Sequence, residues 1–210
     1  MRKGIVAFSG MIVGLVLLIV AFIGPWYTMN ATGSLGVNYN VDFYLTRMEA
    51  KGSINNQYFS LSIGYAEAKE NAQSVGVNTE SFTVIEIAKY LTFFAMVTAL
   101  IAVIGIAAFV FRLGTLRIMK YIGGGFGFLT GLLALIPAVY VMNTKFAENI
   151  SGFWFNQSVL GVTVTGGPGY AWYLMIVVAT ITVISASVIL LKKIIPDDAS
   201  VEKIVPPVHE

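Results

Sequence analysis

Four stretches of the chain are apolar over about 20 residues or more, the length that crosses a hydrocarbon core of roughly 30 Å. They run from Ile5 to Gly24, from about Val84 to Phe111, from about Ile118 to Met142, and from about Tyr170 to Leu191. The pattern predicts four membrane-spanning helices, two longer loops over residues 25–83 and 143–169, a tight basic turn around 112–117, and a tail over 192–210. Arg2 and Lys3 ahead of the first run also fit a signal peptide. The run is long for one, however, and no small-x-small cleavage site follows, so it reads as an uncleaved helix.

The loops carry a different period. Val37, Tyr39, Val41, Phe43 and Leu45 alternate with Asn38, Asn40 and Asp42, as a half-buried strand requires. Phe59, Leu61 and Ile63 alternate with Ser60 and Ser62, predicting a second strand over Gln57 to Ile63. The polar stretch from Lys51 to Asn56 reads as the turn of an antiparallel hairpin. Residues 65–72 are rich in helix formers and predict a short surface helix. In the second loop, the β-branched run from Val159 to Thr165 predicts at least one more strand, closed by Gly166-Gly167-Pro168-Gly169. The expected fold is therefore membrane α-helical: a four-transmembrane-helix bundle with a small extracellular antiparallel β-sheet, forming a single domain.

Composition agrees, with 57% hydrophobic and 11% charged residues, against roughly 25% charged in a soluble domain. The net charge of +2 is too small to argue for a nucleic-acid partner. Its distribution is more informative. Arg2, Lys3, Arg112, Arg117, Lys120, Lys192, Lys193 and Lys203, eight of the 13 basic residues, lie beside helix ends on one side. By the positive-inside rule that side is cytoplasmic, together with both termini, in a multi-pass protein of the cell membrane. The sequons at Asn30, Asn149 and Asn156 all fall in the loops assigned outside, which makes them candidate N-glycosylation sites.

Candidate chemistry is sparse. There is no cysteine, and the one histidine is His209, so thiol chemistry and His/Cys metal sites are excluded and no cofactor is expected. No nucleophile, base and orienting residue can be assembled, and the chain reads as a non-enzyme. Gly123-Gly124-Gly125-Phe126-Gly127 lacks both the preceding strand and the Gly-Lys-Ser/Thr ending of a phosphate loop. Small residues at helical spacing, Gly10 and Gly14 in the first membrane helix and Gly123, Gly127 and Gly131 in the third, predict close helix packing within the bundle or with a partner. Glu86 and Lys89, three apart near the outer end of the second, are expected to form an interfacial ion pair that helps join the outer domain to the bundle. Trp26, Tyr27, Trp154, Tyr170, Trp172 and Tyr173 predict an aromatic belt at the outer boundary. Trp26 is also a candidate for packing the outer domain. Pro137 should kink the third membrane helix.

The element order resembles the claudin and peripheral myelin protein superfamily of tetraspan proteins. Gly24-Pro25-Trp26 stands where claudins place a Pro and a Trp at the exit of the first helix. The run from Gly124 to Pro137 looks like the third claudin helix, and Gly169-Tyr170-Ala171-Trp172-Tyr173 resembles the start of the fourth. The first-loop signature departs, because both of its cysteines are missing. The resemblance implies a non-enzymatic structural or interaction protein, in contact with membrane lipid, whose outer β domain meets copies of itself or cell-surface partners. The alternative is an accessory subunit of a membrane enzyme, channel or transporter, docked on another membrane protein through the glycine faces of the first and third helices.

Overall fold

The computed structural model describes residues 2–33, 36–55, 57–74, 79–113, 115–144, 153–159 and 161–191. Asn149, Lys145, His209 and the basic residues of the tail lie outside them. The four apolar windows form α1 (Arg2–Ile23), α3 (Glu80–Val110), α4 (Leu116–Met142) and α5 (Tyr170–Leu191), all long and apolar enough to cross a membrane. α3 starts four residues earlier than its apolar window, at Glu80. Pro137 is buried inside α4, which continues through it as one helix.

The helices pack in the cyclic order α1, α3, α4, α5. Large apolar side chains such as Val6, Ile104, Leu132 and Ile184 point outward from it, as a lipid solvent allows. Small residues set the contacts within. A Cβ added to Gly105 would lie 2.7 Å from the Gly123 backbone nitrogen, so α3 and α4 meet backbone to backbone at this crossing. Near the middle of the same pair, the Thr130 and Thr98 hydroxyls lie 3.0 Å apart, and both side chains are buried.

Between α1 and α3 the chain forms β1 (Tyr27–Gly33), β2 (Val37–Phe43), β3 (Arg47–Ile54), β4 (Gln57–Gly64) and the short helix α2 (Tyr65–Ser74). Between α4 and α5 it forms β5 (Phe155–Val159) and β6 (Val162–Pro168). The strands make one antiparallel sheet in the order β4-β3-β2-β1-β6-β5. It sits at the end of the bundle where α1 leaves and α3 and α5 begin.

Three sequence expectations change here. Residues 51–54 are not a turn but the second half of β3, in which Met48, Ala50, Gly52 and Ile54 alternate with Arg47, Glu49, Lys51 and Ser53. Pairing on both sides, to β2 and β4, overrides the weak strand propensity of these residues. The reversal into β4 is made around Asn55, whose φ of 50° places it in the left-handed region that asparagine tolerates. Gly166-Gly167-Pro168 does not close the strand; it belongs to β6 and pairs with Tyr27, Thr28 and Met29 of β1. β1 itself, at the centre of the sheet, was not anticipated.

Candidate functional site: the sheet, its anchor and its edge

The register divides the sheet into two chemically distinct faces. Tyr27, Met29 and Ala31 of β1 stand level with Phe43, Val41 and Tyr39 of β2, with Met48, Ala50 and Gly52 of β3, and with Pro168, Gly166 and Val164 of β6. That face is apolar and meets the helix ends. The opposite face is polar in every strand: one row reads Ser60, Lys51, Asn40, Asn30, Thr165, Asn156 across all six. The next row, toward the bundle, contains Ser62, Glu49, Asp42 and Thr28. A sheet with one face packed and the other hydrated shows this alternation.

Trp26 and Tyr27 anchor the apolar face, and both are completely buried. The Trp26 indole Nε1 donates to the Ala21 carbonyl at 2.8 Å, its backbone N–H donates to the Phe43 carbonyl at 2.7 Å, and its carbonyl accepts from the Gly169 N–H at 3.0 Å. One residue thus ties the end of α1 to β2 and to the start of α5. Gly169 is required at this join, because a Cβ there would lie 2.1 Å from the Pro25 carbonyl oxygen. The Tyr27 hydroxyl donates to the Phe153 carbonyl at 3.0 Å, and its ring lies 5.3 Å from that of Phe153. Trp172 extends the cluster, with its ring 5.5 Å from Phe153 and its Nε1 donating to the Ala138 carbonyl at 2.7 Å. On the far side, the Tyr65 hydroxyl donates to the Tyr44 carbonyl and fixes α2 to the loop between β2 and β3. Burial pushes the Tyr27 and Tyr65 phenols up, so both remain protonated donors.

The expected aromatic belt therefore splits. Trp26, Tyr27 and Trp172 form a packed hub between sheet and helices, while Trp154, Tyr170 and Tyr173 remain about half exposed, where an amphipathic ring suits an interface. The expected Glu86–Lys89 ion pair is not formed. Both side chains are partly buried, and Lys89 Nζ lies instead 4.9 Å over the Tyr90 ring. The ion pairs of the outer domain lie on the polar face, where the Glu49 carboxylate is 2.7 Å from both Arg47 and Lys51. Those two hydrogen bonds hold Glu49 below the usual carboxylate range. Asp42, level with Glu49 on the neighbouring strand, is pushed up, mainly by burial.

All five predicted packing glycines meet helices of the same chain. A Cβ on Gly10 would strike Ser185 Oγ at 2.4 Å, on Gly14 Thr182 at 2.8 Å, and on Gly131 Val183 at 2.6 Å. One on Gly123 would meet Ile106 and one on Gly127 Met11, each at 2.7 Å. The sequons at Asn30 and Asn156 lie exposed in one row of the polar face. Among the described residues, no cluster of His, Cys, Asp or Glu could hold a metal ion.

No family model matches the chain, and no curated protein matches it. What the architecture supports is a claudin-like fold in general, four apolar helices with an antiparallel sheet joined to one end of them.

Strand β4 forms one edge of the sheet and is its most exposed strand among those described. Seven of its eight residues are exposed, including Tyr58 at 90% and Leu61 at 53%. It contains no proline and no charged side chain, the usual devices that stop an edge from pairing. The adjacent apolar face also stays uncovered at Phe59 and at Ile54 of β3. The signal was present in Gln57-Tyr58-Phe59-Ser60-Leu61-Ser62-Ile63-Gly64. What the sequence could not reveal was that this strand ends the sheet.

Proposed function

We propose that this is a non-enzymatic membrane protein whose outer β domain joins copies of itself, with the sheet on the outer side and both termini in the cytoplasm. The observation that carries the reading is the eight-residue, uncharged, exposed edge β4. Such an edge presents unpaired backbone N–H and C=O groups, and a second strand satisfies them. The bare apolar side chains beside it, Ile54, Phe59 and Leu61, supply area for burial in the same contact. The distribution of basic residues supports the orientation. The resemblance of Gly24-Pro25-Trp26 and of the run from Gly124 to Pro137 to tetraspan proteins that assemble laterally supports membership of that superfamily. The accessory-subunit alternative has less to stand on, because the glycine faces it would use are filled by helices of the same chain.

The chain has no cysteine, so a single introduced one reports without background. Ser60 lies at the centre of β4. In a twofold antiparallel pairing, its two copies approach to the separation a disulfide spans, with Cα atoms roughly 4.5–5.5 Å apart. Ser60→Cys in native membranes should give a disulfide-linked dimer under mild oxidation. Glu67→Cys, on the exposed side of α2, should not. Adding Leu61→Lys to the Ser60→Cys chain should remove the dimer while leaving the monomer folded. Equal cross-linking at positions 60 and 67 would show that β4 does not join copies.

A further inference from the structure

On its outward side α4 carries a groove that packing inside the bundle does not explain. About 330 Å³ of space lies between Tyr121, Ile122, Gly125, Phe126 and Leu129. Gly125 differs from its neighbours. A Cβ there would meet nothing within 4 Å, whereas one on Gly123, Gly124 or Gly127 would strike another helix. The groove therefore opens away from the bundle, within a segment that spans the membrane.

Its mouth is basic. Arg117, exposed, lies one helical turn before Tyr121. Lys120 is buried, with only 8% of the residue exposed, and its Nζ lies 5.8 Å from the centre of the Tyr121 ring, which lines the groove. The described acidic residues are Asp42, Glu49, Glu67, Glu70, Glu80 and Glu86. All of them belong to the sheet, to α2 or to the first two turns of α3, at the opposite end of the bundle. The two cations at the groove thus have no described carboxylate at their own end.

We infer that this groove is a binding site for an anionic phospholipid of the leaflet at the basic end. One acyl chain lies over Gly125, and the headgroup phosphate is held by Arg117 and Lys120 beside the Tyr121 ring. The charge at the mouth decides the occupant. A second copy of α4 seated symmetrically here would bring two Arg117–Lys120 pairs together, which like-charge repulsion opposes. A phosphodiester neutralises the pair, and each basic residue near an anionic surface contributes on the order of 1 kcal/mol. The site lies at the opposite end of the bundle from β4 and does not depend on pairing there.

Native mass spectrometry of the full chain tests this, using phosphatidylglycerol and phosphatidylcholine with identical acyl chains. Wild-type protein should retain phosphatidylglycerol roughly 5- to 30-fold more strongly, the preference that two partly screened cations supply. Arg117→Gln with Lys120→Gln should equalise the two lipids. Gly125→Leu should fill the groove and abolish retention of both, with cooperative helical melting retained because a Cβ at this position meets no other helix. Leu129→Phe, closing the same groove from its deep end, should act in the same direction. Equal retention of the two lipids by wild type, or selectivity that survives the double substitution, would overturn the assignment. So would a change of oligomeric state in Gly125→Leu, since the groove would then seat a helix of a second copy.

Discussion

Trp26 is where the sheet is most directly tied to the membrane bundle, and Trp26→Ala should loosen that tie. The residue is completely buried, its indole donates to the last full turn of α1, and its backbone joins β2 to the start of α5. Removing a buried tryptophan costs about 3–5 kcal/mol through lost burial and the cavity left behind. The Ala21 carbonyl also loses its indole donor, whereas the backbone bonds of residue 26 remain available. At about 1.4 kcal/mol per tenfold, a loss of that size raises the population of detached sheet by roughly 10²- to 4 × 10³-fold. Limited trypsin digestion in lipid nanodiscs reads this population when opening is fast relative to cleavage. The chain offers Arg47 and Lys51 inside β3 and Lys69 inside α2, sites that regular hydrogen-bonded structure protects. Wild type should resist at these positions while Trp26→Ala is cut at all three. Trp26→Phe, which keeps most of the ring volume but loses the bond to Ala21, should be intermediate. If Trp26→Ala resists trypsin as well as wild type does at the same dose, the sheet is held by something other than this hub.

Further outcomes follow from the same geometry. Gly123→Leu should lower the thermal midpoint of the helical signal in detergent strongly, because its first carbon would lie 2.7 Å from the Ile106 backbone nitrogen and only movement of whole helices relieves that contact. A double-mutant cycle of Thr98→Val and Thr130→Val, read by denaturation in mixed micelles, should give a coupling of about 0.6 kcal/mol, the usual size for an interhelical hydrogen bond in a membrane. Asp42 has a raised folded-state pKa, so the folded chain holds that proton more tightly and the charged form is a cost at neutral pH that disappears as pH falls through the folded value. Asp42→Asn should therefore raise the melting midpoint of the sheet at neutral pH, with the gap closing on acidification. Glu49 behaves oppositely: its lowered pKa means that its stabilisation is present above the ordinary carboxylate value and is lost as pH falls through the folded one. In a host that glycosylates, the proposed orientation predicts a mobility shift on glycosidase treatment, removed when Asn30, Asn149 and Asn156 are all changed to Gln.

The four helices were legible in the chain because lipid is a demanding solvent. A spanning segment must be apolar over its full length and must satisfy its backbone within itself, and both conditions are written locally. The strands β2 and β4 were legible for a related reason, since their aromatic and β-branched residues alternate with polar ones. β1 and β3 carry the same period, but in Met29 and Ala31 and in Met48, Ala50 and Gly52, residues with little strand preference. Only neighbours on both sides made them strands. The faces of the sheet, the exposed edge at β4, and the separation of buried Trp26, Tyr27 and Trp172 from exposed Trp154, Tyr170 and Tyr173 were decided by tertiary structure alone, because each depends on what segments distant in the chain bring into contact. The glycines mark that boundary most clearly. Their spacing in the sequence marked a packing surface, but only the arrangement of helices shows Gly123 pressed against α3 while Gly125, two residues on, faces open space.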